Sequence, residues 1–191
     1  MTASLAVLVS GGGRTFANLV EQIEAGKLPA RISVLVSTNP DSPALALAQS
    51  KGIRSEVVLF PSKSSSAASA HDRIYDACVG ADLMVMAGFL RHLPVRKEWE
   101  GRIVNIHPSL LPRHGGKGMY GHHVHEAVIR QGDRESGCTV HLVDDQFDHG
   151  TILGQARVPV LEGDTPESLA ARVFEAEKVL YPRILRELIA L

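Results

Sequence analysis

Short apolar runs alternate with helical patterns along the first half of the chain. The apolar runs are 5–9, 32–36, 55–59, 83–87 and 102–105, and the helical patterns are 15–25, 44–51, 70–79 and the shorter 94–99. An apolar run without polar alternation is typical of a strand that is buried on both faces. Strands and helices in alternation predict an α/β fold with a doubly wound, mostly parallel sheet.

The pattern changes in the second half. The stretch 111–123 is rich in glycine and polar residues and is predicted to be a long irregular loop, of a kind that usually carries function. Two alternating runs, 139–143 and 156–160, predict an antiparallel pair added to the sheet. A long helical pattern over 166–189 follows, and Pro182 within it predicts a kink or a split.

Composition excludes several classes of protein. The 20 Lys and Arg residues nearly balance the 21 Asp and Glu residues, and no basic stripe points to nucleic acid. No apolar run approaches the ~20 residues that a membrane helix needs, so no membrane association is expected. Cys78 and Cys138 fit no CxxC pattern and are more readily explained as small buried residues than as a disulfide, which favours a reducing, cytoplasmic setting. A length of 191 residues favours one domain, which we divide into the halves 1–105 and 106–191.

The segment 10–15, Ser-Gly-Gly-Gly-Arg-Thr, joins the first strand to the first helix. Glycines let the backbone approach an anion, and the amides of a helix N-terminus attract it. Arg14 adds positive charge, and Thr15 either caps the helix or donates its hydroxyl. The spacing is neither GxGxxG nor GK[ST], and no acidic residue closes the second strand, so a monophosphate is favoured over a dinucleotide or triphosphate. A tight turn without any ligand explains the glycines equally well.

Asn105 and His107 lie two residues apart at the end of the fifth strand, and Pro108 follows at once. On an extended strand this spacing places both side chains on one side. An amide donor and a titratable imidazole together are able to hold a developing oxyanion and move a proton. Taken alone, a histidine at a strand end is more often structural. The glycine loop shifts the interpretation towards catalysis, because sites in open parallel sheets lie at the carboxyl ends of strands.

The loop 144–150 supplies the carboxylates of Asp144, Asp145 and Asp148. A carboxylate beside His107 would orient the imidazole ring. The spacing alone does not choose among the three, and each taken singly is as easily a solvent-facing residue.

Three histidines, His122, His123 and His125, are close together in the glycine-rich region. Zinc is conceivable there, but no Cys or acidic partner lies at convincing ligand spacing, so no metal is predicted.

Several motifs in order resemble one family. They are Ser-Gly-Gly-Gly at 10–13, Ala-Gly-Phe-Leu-Arg at 87–91, Asn-Ile-His-Pro-Ser-Leu-Leu-Pro at 105–112, Thr-Val-His at 139–141 and Asp-His-Gly at 148–150. The chain is similar over essentially its whole length to the folate-dependent formyltransferases, and among them to the phosphoribosylglycinamide formyltransferases of purine synthesis. The Asn-x-His-Pro-Ser-Leu-Leu-Pro motif with a downstream Asp is specific to these enzymes and their hydrolase relatives.

The resemblance implies a Rossmann-like formyltransferase fold and a direct attack of the glycine amine of 5'-phosphoribosylglycinamide on the formyl group of 10-formyltetrahydrofolate, without a metal. It selects Asp148, rather than its two neighbours, to act with Asn105 and His107. It also makes 1–105 the phosphate-binding half and 106–191 the catalytic and folate-binding half. The remaining assignments that it implies are phosphate binding by Gly12, Gly13, Arg14 and Thr15, ribose binding by Glu177, and folate binding by Leu90, Arg91, Leu93, His141, Val143 and Asp144.

The chain departs from the family in two places. Relatives often carry Gly-x-Gly-Ser-Asn where this chain has Gly-Gly-Gly-Arg-Thr, which leaves open whether Arg14 and Thr15 replace the usual phosphate contacts. The segment 113–121 is longer than in many relatives and either reshapes the mouth of the substrate site or contacts a second copy in a homodimer. A 10-formyltetrahydrofolate hydrolase and a non-catalytic module that binds a phosphorylated metabolite are the alternatives.

Overall fold

The computed structural model describes residues 2–61 and 67–190, which form two compact units with the boundary between Ile103 and Val104. This boundary falls close to the predicted division after residue 105, but it places Asn105 in the second unit. The serine-rich stretch 61–69, whose composition predicts a surface loop, lies mostly outside the described residues.

Four parallel strands form the sheet of the first unit in the order β3-β2-β1-β4. The central strand β1 is buried from Ser4 to Val9, as its unbroken apolar run requires. In chain order the elements are β1 (Ala3–Val9), α1 (Arg14–Glu24), β2 (Ala30–Ser37), α2 (Pro43–Ser50), β3 (Ser55–Val57), α3 (Ala68–Ala77), β4 (Leu83–Met86) and a 3-10 turn (Lys97–Trp99).

Three antiparallel strands characterise the second unit, in the order β5-β6-β7, and the predicted antiparallel pair is confirmed. The peptide bond between Leu111 and Pro112 is cis. The elements are β5 (Ile103–His107), which begins at the last residue of the first unit, α4 (His122–Arg130), β6 (Glu135–Leu142), β7 (Ile152–Pro159) and α5 (Pro166–Ile189).

Helix α5 packs against β6 and β7 and is continuous across Pro182, so the predicted split is wrong. Thr165 and Ser168 begin it with reciprocal side-chain to backbone hydrogen bonds, a capping box. Leu180, Tyr181, Ile184 and Leu185 are buried on either side of the proline. Burial of these side chains stabilises the helix by more than the ~3 kcal/mol that an internal proline typically costs.

The structure bears on membrane helices and on disulfides, as the composition does. Among residues 2–61 and 67–190, no helix is both long enough and apolar enough to cross a membrane. Cys78 and Cys138 are both buried free thiols, as predicted.

Candidate active site

Asn105 and His107 both lie within β5, because the strand continues two residues beyond its predicted end and stops before Pro108. Antiparallel pairing sets Asn105 opposite His141 of β6 and His107 opposite Thr139. The imidazole of His107 is buried, with 5% of its side chain exposed. The strand register therefore places two imidazoles and one amide beside each other.

The carboxylate of Asp148 lies close to all three of these polar side chains. Its Oδ1 lies 3.4 Å from Nδ1 of His107, 3.5 Å from Nδ2 of Asn105 and 3.7 Å from Nε2 of His141. Its Oδ2 accepts a hydrogen bond of 3.0 Å from the amide of Gly116. The structure thus brings together the Asn, His and Asp that the resemblance selects, and adds a second histidine.

The carboxylate at the centre of this cluster stays ionised. Only 10% of the Asp148 side chain is exposed. Burial raises the pKa of Asp148, but its contacts with the rings of His107 and His141 and with the amide of Gly116 together outweigh burial, and the pKa lies well below its usual range. Asp148 also has a φ of 55°, a left-handed conformation that aspartate tolerates better than most residues and that often marks functional positions.

His141 is a member of this cluster that the sequence did not predict, since the resemblance implies it only as a folate contact. Its Nδ1 donates to the carbonyl of Leu142 at 2.8 Å, and a carbonyl only accepts, so Nδ1 carries the hydrogen. In the neutral ring Nε2 is then an acceptor, and it lies 3.1 Å from Nδ2 of Asn105. This contact fixes which end of the Asn105 amide faces the cluster. The alternation of β6 was the available signal, because His141 shares a strand face with Thr139.

The long loop 113–121 begins against the same cluster. The carbonyl of His114 accepts a hydrogen bond of 2.8 Å from Nε2 of His107. A Cβ placed on Gly115 would lie 3.2 Å from Cβ of Asp148 and 2.5 Å from a leucine side chain, so the close approach requires glycine here. Each nitrogen of the His107 ring consequently faces an acceptor.

The neighbouring carboxylates take other positions. Asp144 accepts from Nδ1 of His149 at 2.7 Å, in a pair with both side chains substantially exposed. Asp145 is exposed. The geometry therefore selects Asp148 as the partner of His107 independently of any resemblance.

In the first unit, the glycine loop ends in a helix N-terminus that no side chain caps within the described residues. The N-cap is Gly13, so the suggestion that Thr15 caps the helix is wrong: Thr15 lies inside the first turn. Gly13 has a φ of 74°, and a Cβ there would lie 2.6 Å from Cβ of Ala44. By contrast, a Cβ on Gly11 or Gly12 would meet open space. Packing explains one glycine, while the other two leave backbone accessible, which suits an approaching anion.

The other predicted contacts are scattered over both units. In the first, Leu90 is exposed, Leu93 is buried, and the guanidinium of Arg91 lies 5.4 Å from the centre of the Phe60 ring. The amide of Leu90 donates to Oγ of Ser10 at 3.0 Å, which ties the glycine loop to the segment after β4.

In the second unit, Val143 and Asp144 begin the loop after β6, and Glu177 is half-buried on α5. His122 lies 3.3 Å from Glu167, and His123 lies 3.9 Å from Glu126. Over the described ranges, no group of three or more His, Cys, Asp or Glu side chains is arranged to hold a metal ion.

Comparison with known proteins identifies the family. A family model described as formyl transferase matches residues 3–185. The chain belongs to the formyl transferase family. The chain is 43% identical over 191 residues to the chloroplastic phosphoribosylglycinamide formyltransferase of Vigna unguiculata, a match covering 96% of this chain and 60% of the relative. The chain thus spans about three fifths of the length of that relative.

Bacterial proteins match the chain over more of their length. Phosphoribosylglycinamide formyltransferase of Haemophilus influenzae is 34% identical, with 95% of this chain and 85% of the relative covered. Among solved structures, the chain resembles the crystal structure of phosphoribosylglycinamide formyltransferase from Brucella melitensis, with a TM-score of 0.87 and 38% sequence identity. This match covers 100% of this chain and 97% of the other. These matches confirm the predicted α/β class, with its mostly parallel sheet, antiparallel addition and long C-terminal helix.

Proposed function

We propose that this protein moves the formyl group of 10-formyltetrahydrofolate to the glycine amine of 5'-phosphoribosylglycinamide. The observation that carries the proposal is the buried cluster in which Asp148 contacts Asn105, His107 and His141. Such a cluster suits acyl transfer to an amine, which needs a donor for an oxyanion and a group that moves a proton. Relatives at 34% and 43% identity bear the name of this activity.

In the first step, the lone pair of the amine attacks the formyl carbon and the carbonyl oxygen gathers negative charge. Nδ2 of Asn105 is the donor we assign to that oxygen. Its contact with Asp148 is long, at 3.5 Å, whereas its contact with His141 is 3.1 Å. The oxyanion replaces the longer contact while His141 keeps the amide oriented. Removal of one such donor typically costs about 2.7 to 4 kcal/mol of transition-state stabilisation.

In the second step, the attacking nitrogen loses a proton and the bond between the formyl carbon and the folate nitrogen breaks. The leaving folate nitrogen receives the proton. His107 and Asp148 relay it, directly or through a water molecule. The carboxylate stabilises the imidazolium that forms during the relay. A covalent thiol intermediate is disfavoured, because burial raises the pKa of both Cys78 and Cys138 to about 12 and keeps them protonated.

The remaining contacts follow the same proposal. We assign the substrate phosphate to the amides at the start of α1, since that N-terminus has accessible glycine backbone and a helix dipole. We assign binding of the ribose hydroxyls to the half-buried Glu177. The residues in each group are Gly12, Gly13, Arg14 and Thr15 for phosphate, and Leu90, Arg91, Leu93, His141, Val143 and Asp144 for folate.

Acceptor dependence tests the proposal and separates it from hydrolysis. Formyl release from 10-formyltetrahydrofolate is followed by absorbance with and without 5'-phosphoribosylglycinamide. We expect release only with the ribonucleotide, together with stoichiometric formylated product. Release at the same rate in its absence would assign the cluster to a hydrolase, and no release under either condition would leave a binding module.

His107→Ala supplies the matching variant. We expect it to lose most of the transfer rate while ribonucleotide binding, measured by calorimetry, stays near that of the unchanged protein. Full activity in His107→Ala would remove this residue from the mechanism.

Compartment and assembly are further parts of the proposal. We place the enzyme in the cytoplasm on the basis of its free buried thiols, and fractionation of the source cells tests this. Contact of the loop 113–121 with a second copy would make a homodimer, which sedimentation velocity detects.

A further inference from the structure

A second histidine–aspartate couple lies outside the proposed catalytic set. Nε2 of His114 lies 2.7 Å from Oδ2 of Asp133, and both side chains are almost covered, at 6% and 10% exposed. The other oxygen of Asp133 accepts from Arg113 at 2.5 Å. The pKa of Asp133 is lowered, chiefly by the hydrogen bond from His114. A nearly covered carboxylate loses most of its hydration, so partners placed this closely around Asp133 call for a structural reason.

The main chain of His114 connects this couple to the cluster around Asp148. Its carbonyl accepts from Nε2 of His107 at 2.8 Å. Because a carbonyl only accepts, Nε2 of His107 must carry a hydrogen. Nδ1 of the same ring faces Asp148 at 3.4 Å and is left as the nitrogen that exchanges a proton.

Holding that carbonyl in place requires an anchor. His114 has a φ of 54°, a left-handed conformation that costs a residue with a Cβ about 1–2 kcal/mol. The loop continues through Gly115, Gly116 and Gly118, which offer the backbone many other conformations. The hydrogen bond to Asp133 ties the His114 side chain to a fixed partner beside this backbone. Oγ of Ser109 adds a second tie, since it donates to the preceding carbonyl at 2.6 Å and lies 3.5 Å from the His114 carbonyl.

We propose that Asp133 and His114 are positioning residues for His107: they hold the His114 carbonyl where it keeps the hydrogen on Nε2 and leaves Nδ1 to work with Asp148. This role rests on the proposed formyl transfer only for its effect on rate. Its effect on the His107 ring is independent of any substrate.

The test uses the full chain in three variants. Asp133→Asn removes the charge that holds the His114 ring, and His114→Asn removes the ring but tolerates a positive φ. Asp164→Asn is the matched control. Asp164 is also covered, at 5% exposed, and pairs with Arg172 at 2.6 Å, without a contact to the loop.

Nitrogen-15 NMR of the histidine rings, with the His107 signals assigned by comparison with His107→Gln, reports which nitrogen carries the hydrogen. We expect Nε2 to carry its hydrogen fully in the unchanged protein and in Asp164→Asn. In Asp133→Asn and His114→Asn we expect the Nε2 signal to shift towards that of a nitrogen that carries its hydrogen only part of the time. The kcat of these two variants should fall by about 10- to 100-fold with KM nearly unchanged, because a misplaced reacting group costs rate rather than binding.

Unchanged His107 signals in either loop variant would overturn the proposal, and so would an equal change in Asp164→Asn. If Asp133→Asn fails to fold, the spectrum of His114→Asn decides. Absence of formyl transfer in every protein would refute the proposed function, while the ring signals would still decide this inference.

Discussion

Replacement of Asp148 by Asn is the sharpest perturbation of the cluster, because it removes the charge and keeps the shape. The carboxylate lies 3.4 Å from Nδ1 of His107. At an effective dielectric constant of about 20, its attraction for an imidazolium at that distance is about 5 kcal/mol. The amide oxygen of the variant still accepts a hydrogen bond and recovers part of this energy. Since about 1.36 kcal/mol corresponds to tenfold in rate, we expect kcat to fall by about 10³-fold.

The assay is steady-state formyl transfer, with both substrates saturating, and calorimetric binding of the ribonucleotide as a check on folding. Asp145→Asn is the matched control, since it makes the same chemical change at an exposed carboxylate of the same loop. It should keep nearly full activity. A kcat of Asp148→Asn within tenfold of the unchanged protein would refute the electrostatic argument, and so would an equal loss in the control.

Three further predictions concern stability and binding. Gly13→Ala should lower the free energy of unfolding by about 1–3 kcal/mol in urea titrations, because φ is 74° and the new Cβ would lie 2.6 Å from Cβ of Ala44. The Cβ of Gly12→Ala would meet open space, so this variant should weaken ribonucleotide binding with little change in stability. The pKa of Asp148 is lower in the folded protein than in the unfolded chain, where it is about 4, so the ionised carboxylate stabilises the fold at pH values above about 4. The difference in free energy of unfolding between the unchanged protein and Asp148→Asn should therefore shrink as the pH falls below about 4. Tyr181→Phe removes a buried 3.0 Å hydrogen bond to a β5 carbonyl and should cost about 1 kcal/mol in thermal unfolding, without an effect on kcat.

Local patterns predicted the elements well where the periodicity itself decides the structure. The apolar runs mark β1, β2 and β4 because those strands are buried, and the spacing of Asn105 and His107 correctly places both side chains on one face. The spacing could not choose among the three aspartates of the following loop. That choice depends on a backbone with positive φ at Asp148, which is set by tertiary contacts and has no sequence period.

Long-range pairing accounts for the other failures. Asp133 and His114 are separated by 19 residues in an irregular region, so no local sequence pattern predicts the hydrogen bond between their side chains. The position of His141 opposite Asn105 depends on strand register. The prediction that Pro182 splits its helix is wrong, because burial that only the folded chain supplies outweighs the local cost of the proline.

In the proposed formyl transfer, His107 and Asp148 act as one unit. A double-mutant cycle on kcat with His107→Ala and Asp148→Asn measures the coupling between them. We expect strong coupling, with the double variant no slower than the slower single variant, because each residue acts through the other. Losses that multiply, so that the double variant is slower than the unchanged protein by the full product of the two single losses, would show that the two side chains act independently and would refute this mechanism.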